Sequence, residues 1–467
     1  MSGAYTRLAA GLIFPLHERL KRHDTVGVRR AMEQSQWWPR ERIEAAQLER
    51  LRAFLLDVGA HVPYYRKMFA ALKFDPRALR RIDDLRALPL LGKAEIRAHS
   101  AELRHDAARE LARFNTGGSS GEPLIFYIGK ERVSHDVAAK WRATRWWDVD
   151  IGDREMVVWG SPIELGAQDR LRRWRDRLLR TELLPAFAMS ESKLDDFIAA
   201  IRRTRPSMLF GYPSALTHIA RHAMARGVAM DDLGIRVAFV TSERLYDDQR
   251  STIAAVFGCR VANGYGGRDA GFIAHECPSG SMHITAEDIV VELLDSAGRA
   301  VPAGQAGEVV VTHLATRDFP FIRYRTGDVA VMGTQPCACG RGLPTLSDIQ
   351  GRSTDFLVAS NGTVMHGLAL IYVLRDLPGV QAFRIEQHDL LHTTVQIVPA
   401  AGFGAAELAG IITGFKQRLG DDVQVQVQQV AAIAAEKSGK FRYVVSHVDS
   451  AAGRGGASAP KPAPQEA

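Results

Sequence analysis

From Phe114 to Ala262, short β-forming runs alternate with segments of helical period, and no other feature of the chain constrains its fold as strongly. The runs are Leu124–Ile128, Met156–Trp159, Met208–Phe210, Val237–Thr241 and Val261–Ala262; between them, Lys193–Arg203, Ser214–Arg226 and Asp247–Phe257 read as helices. Neighbouring parallel strands need a long crossover, usually a helix, so the alternation predicts an α/β sheet.

The flanks differ in texture. Residues 1–110 read as largely helical, with the amphipathic stretch Ile43–Val58 followed by a break at Pro63 and the pair Tyr64 and Tyr65. Ile289–Leu294 and Glu308–His313, joined by the Gly- and Pro-containing segment Asp295–Gly307, read as an antiparallel hairpin. Gly351–Asp355 marks a boundary. Beyond it, a helix (His366–Arg375), two strands (Ala382–Glu386, His392–Val398), a helix (Ala405–Leu419) and a strand (Val423–Val430) suffice for a small α+β domain. The expected organisation is a large domain over 1–350, a small one over 351–450 and a disordered tail over 451–467, poor in apolar side chains.

The net charge of +7 is partly local, with six arginines and one acidic residue between Arg170 and Arg180. Interleaved with Leu171, Trp174, Leu178 and Leu179, they read as a basic amphipathic helix. It is either a solvated face or a dock for the phosphates of a small molecule or for an acidic protein. No recognition motif accompanies it, so no nucleic-acid partner is expected. Four cysteines in 467 residues do not suggest a disulfide-stapled secreted chain. The apolar run Leu8–Leu16 contains Pro15 and is shorter than the roughly 20 residues of a membrane span. It reads as a packing helix, with an interfacial helix as the alternative, and the chain reads as cytoplasmic without a transmembrane segment.

The chemistry concentrates in short strings. Phe114-Asn-Thr-Gly-Gly-Ser-Ser-Gly-Glu-Pro123 precedes a strand, and Thr116, Gly117, Gly118, Ser119, Ser120 and Gly121 could converge backbone N–H groups on a phosphate. No Gly-Lys-Ser/Thr follows, so it is not a Walker loop, and a plain turn is the competing reading. Asn263-Gly-Tyr-Gly-Gly-Arg-Asp-Ala-Gly271, Tyr324-Arg-Thr-Gly-Asp328, Gly351-Arg-Ser-Thr-Asp355 and Ser438-Gly-Lys-Phe-Arg442 follow in order.

As a set these strings resemble the adenylate-forming superfamily. Val62-Pro-Tyr-Tyr-Arg66, Leu88-Pro-Leu-Leu-Gly-Lys93, Gly211-Tyr-Pro-Ser214 and Phe321–Asp328 narrow the resemblance to the phenylacetate-CoA ligase family, in its branch linked to capsular polysaccharide biosynthesis. The resemblance spans about Val62 to Val448. It implies a large adenylate-forming domain with parallel-rich sheets and a β-barrel-like part, plus a small mobile α+β domain. The implied activity is conversion of a carboxylic acid and ATP into acyl-AMP, then transfer to CoA; a carrier-protein thiol or a sugar amine is the alternative acceptor, and a weakly active assembly protein the alternative class. A homodimer is left open.

The roles it implies fall residue by residue. Thr116 to Gly121 would hold the β- and γ-phosphates. Tyr265 and Gly266 would line the adenine and acyl pockets, with Tyr212, Pro213 and Gly267 in the acid pocket wall. Asp328 would accept both ribose hydroxyls, with Arg352 as a further donor. Asp355 would be the hinge and Lys440 the cation reaching the carboxylate and α-phosphate during adenylation. The family's usual Thr-Glu after Tyr-Gly-x is here Arg268-Asp269, so the Mg²⁺ ligand would be Asp269, one methylene shorter.

The cysteines form an independent set. Cys277-Pro-Ser-Gly-Ser-Met-His283 and Cys337-Ala-Cys339 supply three thiols and an imidazole, enough to close a tetrahedral structural zinc site, with His275 as the alternative to His283 and two reduced surface loops as the competing reading. Some members of the ligase family hold zinc at a similar pattern.

Overall fold

Helices open the chain because its apolar residues recur at helical spacing. Along Arg40–His61 the buried residues are Ile43, Gln47, Leu51, Phe54, Leu55 and Val58, three or four apart. The helix stops where Pro63 forces the preceding Val62 into extended backbone, and Pro63 then opens Pro63–Leu72 at its first turn. The computed structural model describes residues 3–115, 124–159, 170–186, 191–352, 356–360, 364–366, 368–375, 377, 379–433 and 442–448.

After a two-stranded antiparallel ribbon of β1 (Ala112–Asn115) and β2 (Ile125–Ile128), an eleven-stranded sheet follows. Its strands are β3 (Glu155–Trp159), β4 (Thr181–Pro185), β5 (Met208–Gly211), β6 (Val237–Thr241), β7 (Arg260–Gly267), β8 (Gly271–Glu276), β9 (Met282–Ile284), β10 (Ile289–Leu294), β11 (Ala306–His313), β12 (Tyr324–Met332) and β13 (Thr345–Arg352). Their order is β10-β11-β12-β13-β9-β8-β7-β6-β5-β3-β4. The β4-β3-β5-β6-β7 part is parallel. Every residue of β5 and β6 is buried, as expected of strands covered by helices on both faces. At β7 the pairing changes, since β7 pairs with β8, and β8 with β9, antiparallel. The antiparallel strands thus continue the parallel ones in a single sheet.

Two early strings serve the entry to β12. The Tyr65 hydroxyl donates to the Pro320 carbonyl and accepts from the Ile322 N–H, both at 3.2 Å. Leu91 brackets Tyr324 through Leu91 N–H to Arg323 carbonyl (2.9 Å) and Arg325 N–H to Leu91 carbonyl (3.0 Å). Buried Arg323 forks onto Glu292, 3.0 Å from each carboxylate oxygen, and donates to the Leu88 carbonyl. Val62–Arg66 and Leu88–Lys93 are therefore scaffolding for Phe321–Asp328. Tyr65→Phe, which leaves a buried carbonyl and a buried N–H without this partner, is expected to lower stability by about 1–3 kcal/mol. A denaturant midpoint equal to the unsubstituted protein's would show that the hydroxyl does not anchor this segment.

The chain divides into two compact units between Ile349 and Gln350. In the second, β14 (Phe356–Val358) pairs with β15 (Val364–His366), and β16 (Val380–Gln387), β17 (His392–Pro399), β18 (Gln424–Gln429) and β19 (Val444–Ser446) form a sheet in the order β18-β17-β16-β19. His366, expected to open a helix, ends β15 instead, and the helix is Leu368–Arg375. A second helix, Ala405–Leu419, buries Ile411, Phe415 and Leu419, spaced by four. Buried Gln387 joins the two sheets by exchanging hydrogen bonds with the Val358 backbone at 3.0 and 2.7 Å.

No helix of the described residues is long and apolar enough to cross a membrane. The run Leu8–Leu16 differs from an ordinary packing helix, because Leu8, Leu12 and Leu16 are exposed.

Candidate functional site

Parallel strands of an open α/β sheet present ligands with their carboxyl ends. Here that edge carries Trp159 at the end of β3, Tyr212 after β5, Ser242 after β6 and Tyr265 near the end of β7. Tyr212 is buried with its ring stacked on Trp159 (4.4 Å between centroids, 23°). Pro213 sits in the first turn of the helix Pro213–Ala225, and the Ser214 N–H donates to Glu243 at 3.2 Å. Ser242 has φ +72°, a left-handed backbone uncommon outside glycine and often found near binding sites.

The turn between β7 and β8 is shaped by close approach. A Cβ on Gly266 would lie 2.1 Å from the Gly271 carbonyl oxygen, and one on Gly271 (φ +88°) would lie 2.6 Å from the His313 ring, so neither tolerates a side chain. The register shifts between Tyr265 and Gly266, a bulge that redirects the strand end. Buried Arg132 holds the turn, donating to the Arg268 carbonyl at 3.3 Å and to Asp136 at 2.7 Å. Gly267 is exposed and Asp269 half-buried.

β7 and β12 are four places apart in the sheet, about 19 Å if it were flat. Two hydrogen bonds span this distance: the Tyr265 hydroxyl donates to Asp328 (2.9 Å), and the Tyr324 hydroxyl donates to Asp269 in the turn after β7 (2.6 Å). The antiparallel part must therefore curl until its ends meet. Each strand gives one tyrosine, to Asp328 on β12 and to Asp269 in the turn after β7, so the two carboxylates are fixed in one structure. Burial, and next the Asp328 carboxylate, hold the Tyr265 phenol well above its ordinary pKa, so it stays a hydrogen-bond donor. At Asp328 the Gly327 φ of +78° and the Asp328 N–H to Thr326 hydroxyl bond (3.1 Å) close a tight turn inside β12.

The cysteine set is assembled. Cys277 and Cys337 sulfurs are 3.6 Å apart, Cys339 sulfur lies 3.2 Å from His283 Nε2, and all four ligand atoms fall within 4.8 Å of one another. Tetrahedral bonds of about 2.3 Å to sulfur give nearly this sulfur–sulfur spacing, so the residues fit a zinc ion. Burial brings the His283 imidazole down to about 4, keeping it neutral as a ligand must be, and its Nδ1 faces the Leu343 carbonyl at 3.4 Å, leaving Nε2 for the metal. His275 takes no part; its ring packs with Phe239 and Phe272. The set joins the β8–β9 turn to the segment between β12 and β13.

Comparison with known proteins agrees with this architecture. The AMP-binding enzyme family model matches residues 183–315, and the CapK C-terminal domain model matches residues 357–447. A phenylacetate-coenzyme A ligase of Thermus thermophilus is 27% identical over 358 residues, 73% of this chain and 77% of that protein. Protein CapK of Staphylococcus aureus is 23% identical over 374 residues, 79% of this chain and 81% of its own length. The chain resembles the phenylacetate-CoA ligases of the adenylate-forming superfamily. A 2-hydroxyisobutyryl-CoA ligase, crystallised in the postadenylation state in complex with 2-HIB-AMP, shares the fold with a TM-score of 0.72 at 22% identity, covering 89% of this chain and 91% of that one.

In this phenylacetate-CoA ligase-like protein, Tyr265, Gly266, Gly267, Asp269 and Asp328 are brought to the junction of β7 and β12, while Tyr212 and Pro213 stand at the carboxyl end of β5, on the same sheet edge as Tyr265. Arg352 ends β13. Thr116–Gly121, Asp355 and Lys440 lie outside the described residues. The sequence reading assigned no role to Tyr324, Tyr65 or Arg132. Tyr324 and Tyr65 stand inside quoted strings, but nothing local to either names the partner 55 or 255 residues away.

Proposed function

We propose that the protein activates a carboxylic acid with ATP and passes the acyl group to the thiol of CoA. In the first half-reaction a carboxylate oxygen attacks the α-phosphorus and pyrophosphate leaves, giving acyl-AMP; in the second the CoA sulfur attacks the acyl carbon, its proton is lost and AMP leaves. The observation that carries the reading is the reciprocal pair of tyrosine–aspartate bonds, which sets two carboxylates beside the carboxyl edge of the parallel strands.

Asp328 accepts the ribose hydroxyls, since a carboxylate has lone pairs beyond the one Tyr265 occupies, and Arg352 adds a donor. Thr116 to Gly121 hold the β- and γ-phosphates. Asp269 is half-buried and kept in place by Tyr324 and by the Ala270 N–H (3.1 Å), a single oriented carboxylate of the kind that binds Mg²⁺ together with substrate phosphates. When bound, Mg²⁺ offsets the charge that builds on the transferring phosphoryl oxygens. Lys440 supplies the second cation during adenylation, and Asp355 is the hinge about which the small domain turns between half-reactions. Tyr212, Pro213 and Gly267 wall the acid pocket, where Gly266 and Gly267 leave room for an aryl group or a medium chain. Cys277, His283, Cys337 and Cys339 hold a structural zinc ion.

The test is acid-dependent ATP–pyrophosphate exchange across a panel of aryl and fatty acids, followed by CoA-dependent release of AMP. Exchange with at least one acid is expected. No exchange with any acid, together with no ATP binding by calorimetry, sinks the reading in favour of an assembly protein. A carrier-protein thiol or a sugar amine is the alternative acceptor. Exchange without CoA-dependent AMP release would select it.

A further inference from the structure

The helical stretch from Ala4 to Leu20 has two unlike sides. One is used by the fold: the Thr6 hydroxyl donates to Asp153 at 2.7 Å, Phe14 meets Trp141 edge-on, and Glu18 is buried among Thr25, His17 and His23. The other carries Leu8, Leu12, Leu16 and Leu20, which are 48%, 60%, 56% and 77% exposed. A row spaced by four residues drifts around an α-helix of 3.6 residues per turn, but a π turn at Ala9–Ile13 takes more residues per turn and opposes the drift. The row therefore stays on one side.

Its charges are all of one sign. Between Gly3 and Arg22 the exposed ionic residues are Arg7, Arg19, Lys21 and Arg22, and the single carboxylate, Glu18, is turned inward. Near Arg22 stands Glu110, which is itself paired with Lys130. Alongside lies the basic helix Arg170–Leu179: Arg180, just past its end, stacks over the Tyr5 ring at 3.9 Å, and the Tyr5 hydroxyl donates to the Leu178 carbonyl at 2.8 Å. That helix exposes Trp174 (63%) and Leu178 (47%), four residues apart, with Arg177 and Arg180 also exposed.

We propose that this face docks on the surface of a lipid bilayer bearing anionic headgroups. The leucines and Trp174 enter the boundary between headgroup and acyl chain, and the cations remain at the phosphates, as in a helix lying in the interface plane. A second copy of the chain is a poorer occupant. Two-fold pairing would bring the same patch against itself and set Arg7, Arg19, Lys21 and Arg22 against their like.

The experiment is co-sedimentation of the full chain with vesicles of phosphatidylcholine alone or mixed with phosphatidylglycerol. Binding to the mixed vesicles that weakens with added salt is expected. Leu12→Asp with Leu16→Asp should cut it about tenfold or more. Arg19→Glu, reversing one charge at the surface, should cut it about fivefold or more on the mixed vesicles only. All three positions are exposed, so an unchanged melting temperature accompanies the expected losses. Equal binding to both vesicle types, or no binding to either, overturns the proposal. A dimer that the double variant separates, without vesicle binding, would identify the face as a contact between copies.

Discussion

Lys440→Ala, which removes the cation proposed for adenylation, is expected to lower acid-dependent ATP–pyrophosphate exchange by about 10²–10³-fold, the usual cost of removing one group that stabilises charge developing in a transition state. Thioester formation from separately prepared acyl-AMP and CoA should persist, since no pentacoordinate phosphorus forms there. The same assays separate the two carboxylates. Asp269→Ala, which removes the proposed Mg²⁺ ligand, should cost a comparable factor in exchange that raised Mg²⁺ partly restores. Tyr324→Phe, which removes one of the two hydrogen bonds described at Asp269 but keeps the carboxylate, should cost less, about tenfold, and raise the Mg²⁺ concentration at half-maximal rate. If Lys440→Ala leaves exchange intact, the lysine is misassigned. If Asp269→Ala does so at low Mg²⁺, the Arg268-Asp269 string is not the metal site of this chain.

The sequence exposed one kind of constraint and concealed another. Alternating β runs and helices from Phe114 onward made the parallel half readable, because β5 and β6 are buried along their whole length and tolerate only apolar residues. The helix Ala405–Leu419 was readable to its last residue, since Gly404 and Gly420 bracket a clear apolar row. The meeting of β7 with β12 was not. It depends on sheet curvature built up over four strands, to which no string of neighbours testifies, and so Tyr324 remained an unassigned member of a string whose aspartate was singled out. The side chosen by the first helix was hidden for a related reason. Leucines at spacing four mark a face without saying whether protein covers it, and here the fold takes the opposite face through Thr6, Phe14 and Glu18. For the cysteines, spacing left His275 and His283 both open. Pairing of β8 with β9 sets them opposite each other, and only His283 meets a thiol.

Removal of zinc is expected to be the largest single loss of stability. The purified protein should hold one zinc ion, and a strong chelator or Cys277→Ser should lower its melting temperature sharply. The loss should be a substantial part of the roughly 10–16 kcal/mol that structural zinc contributes to small domains, because the ligands tie two segments 60 residues apart and the emptied site leaves three thiols and a buried imidazole together. Cys259 provides the control. It lies outside the set, burial pushes its thiol up to about 12, and Cys259→Ser should leave the metal content at one. With zinc bound, thiol reagents should react slowly with all four cysteines, Cys259 being shielded by burial and the others by the metal. The chelator should then release three fast thiols. Protein isolated without metal, with Cys277, Cys337 and Cys339 freely reactive and a melting temperature indifferent to the chelator, would reduce the set to packed thiols. The β12–β13 connection beside Asp328 would then depend on its hydrogen bonds and apolar contacts alone.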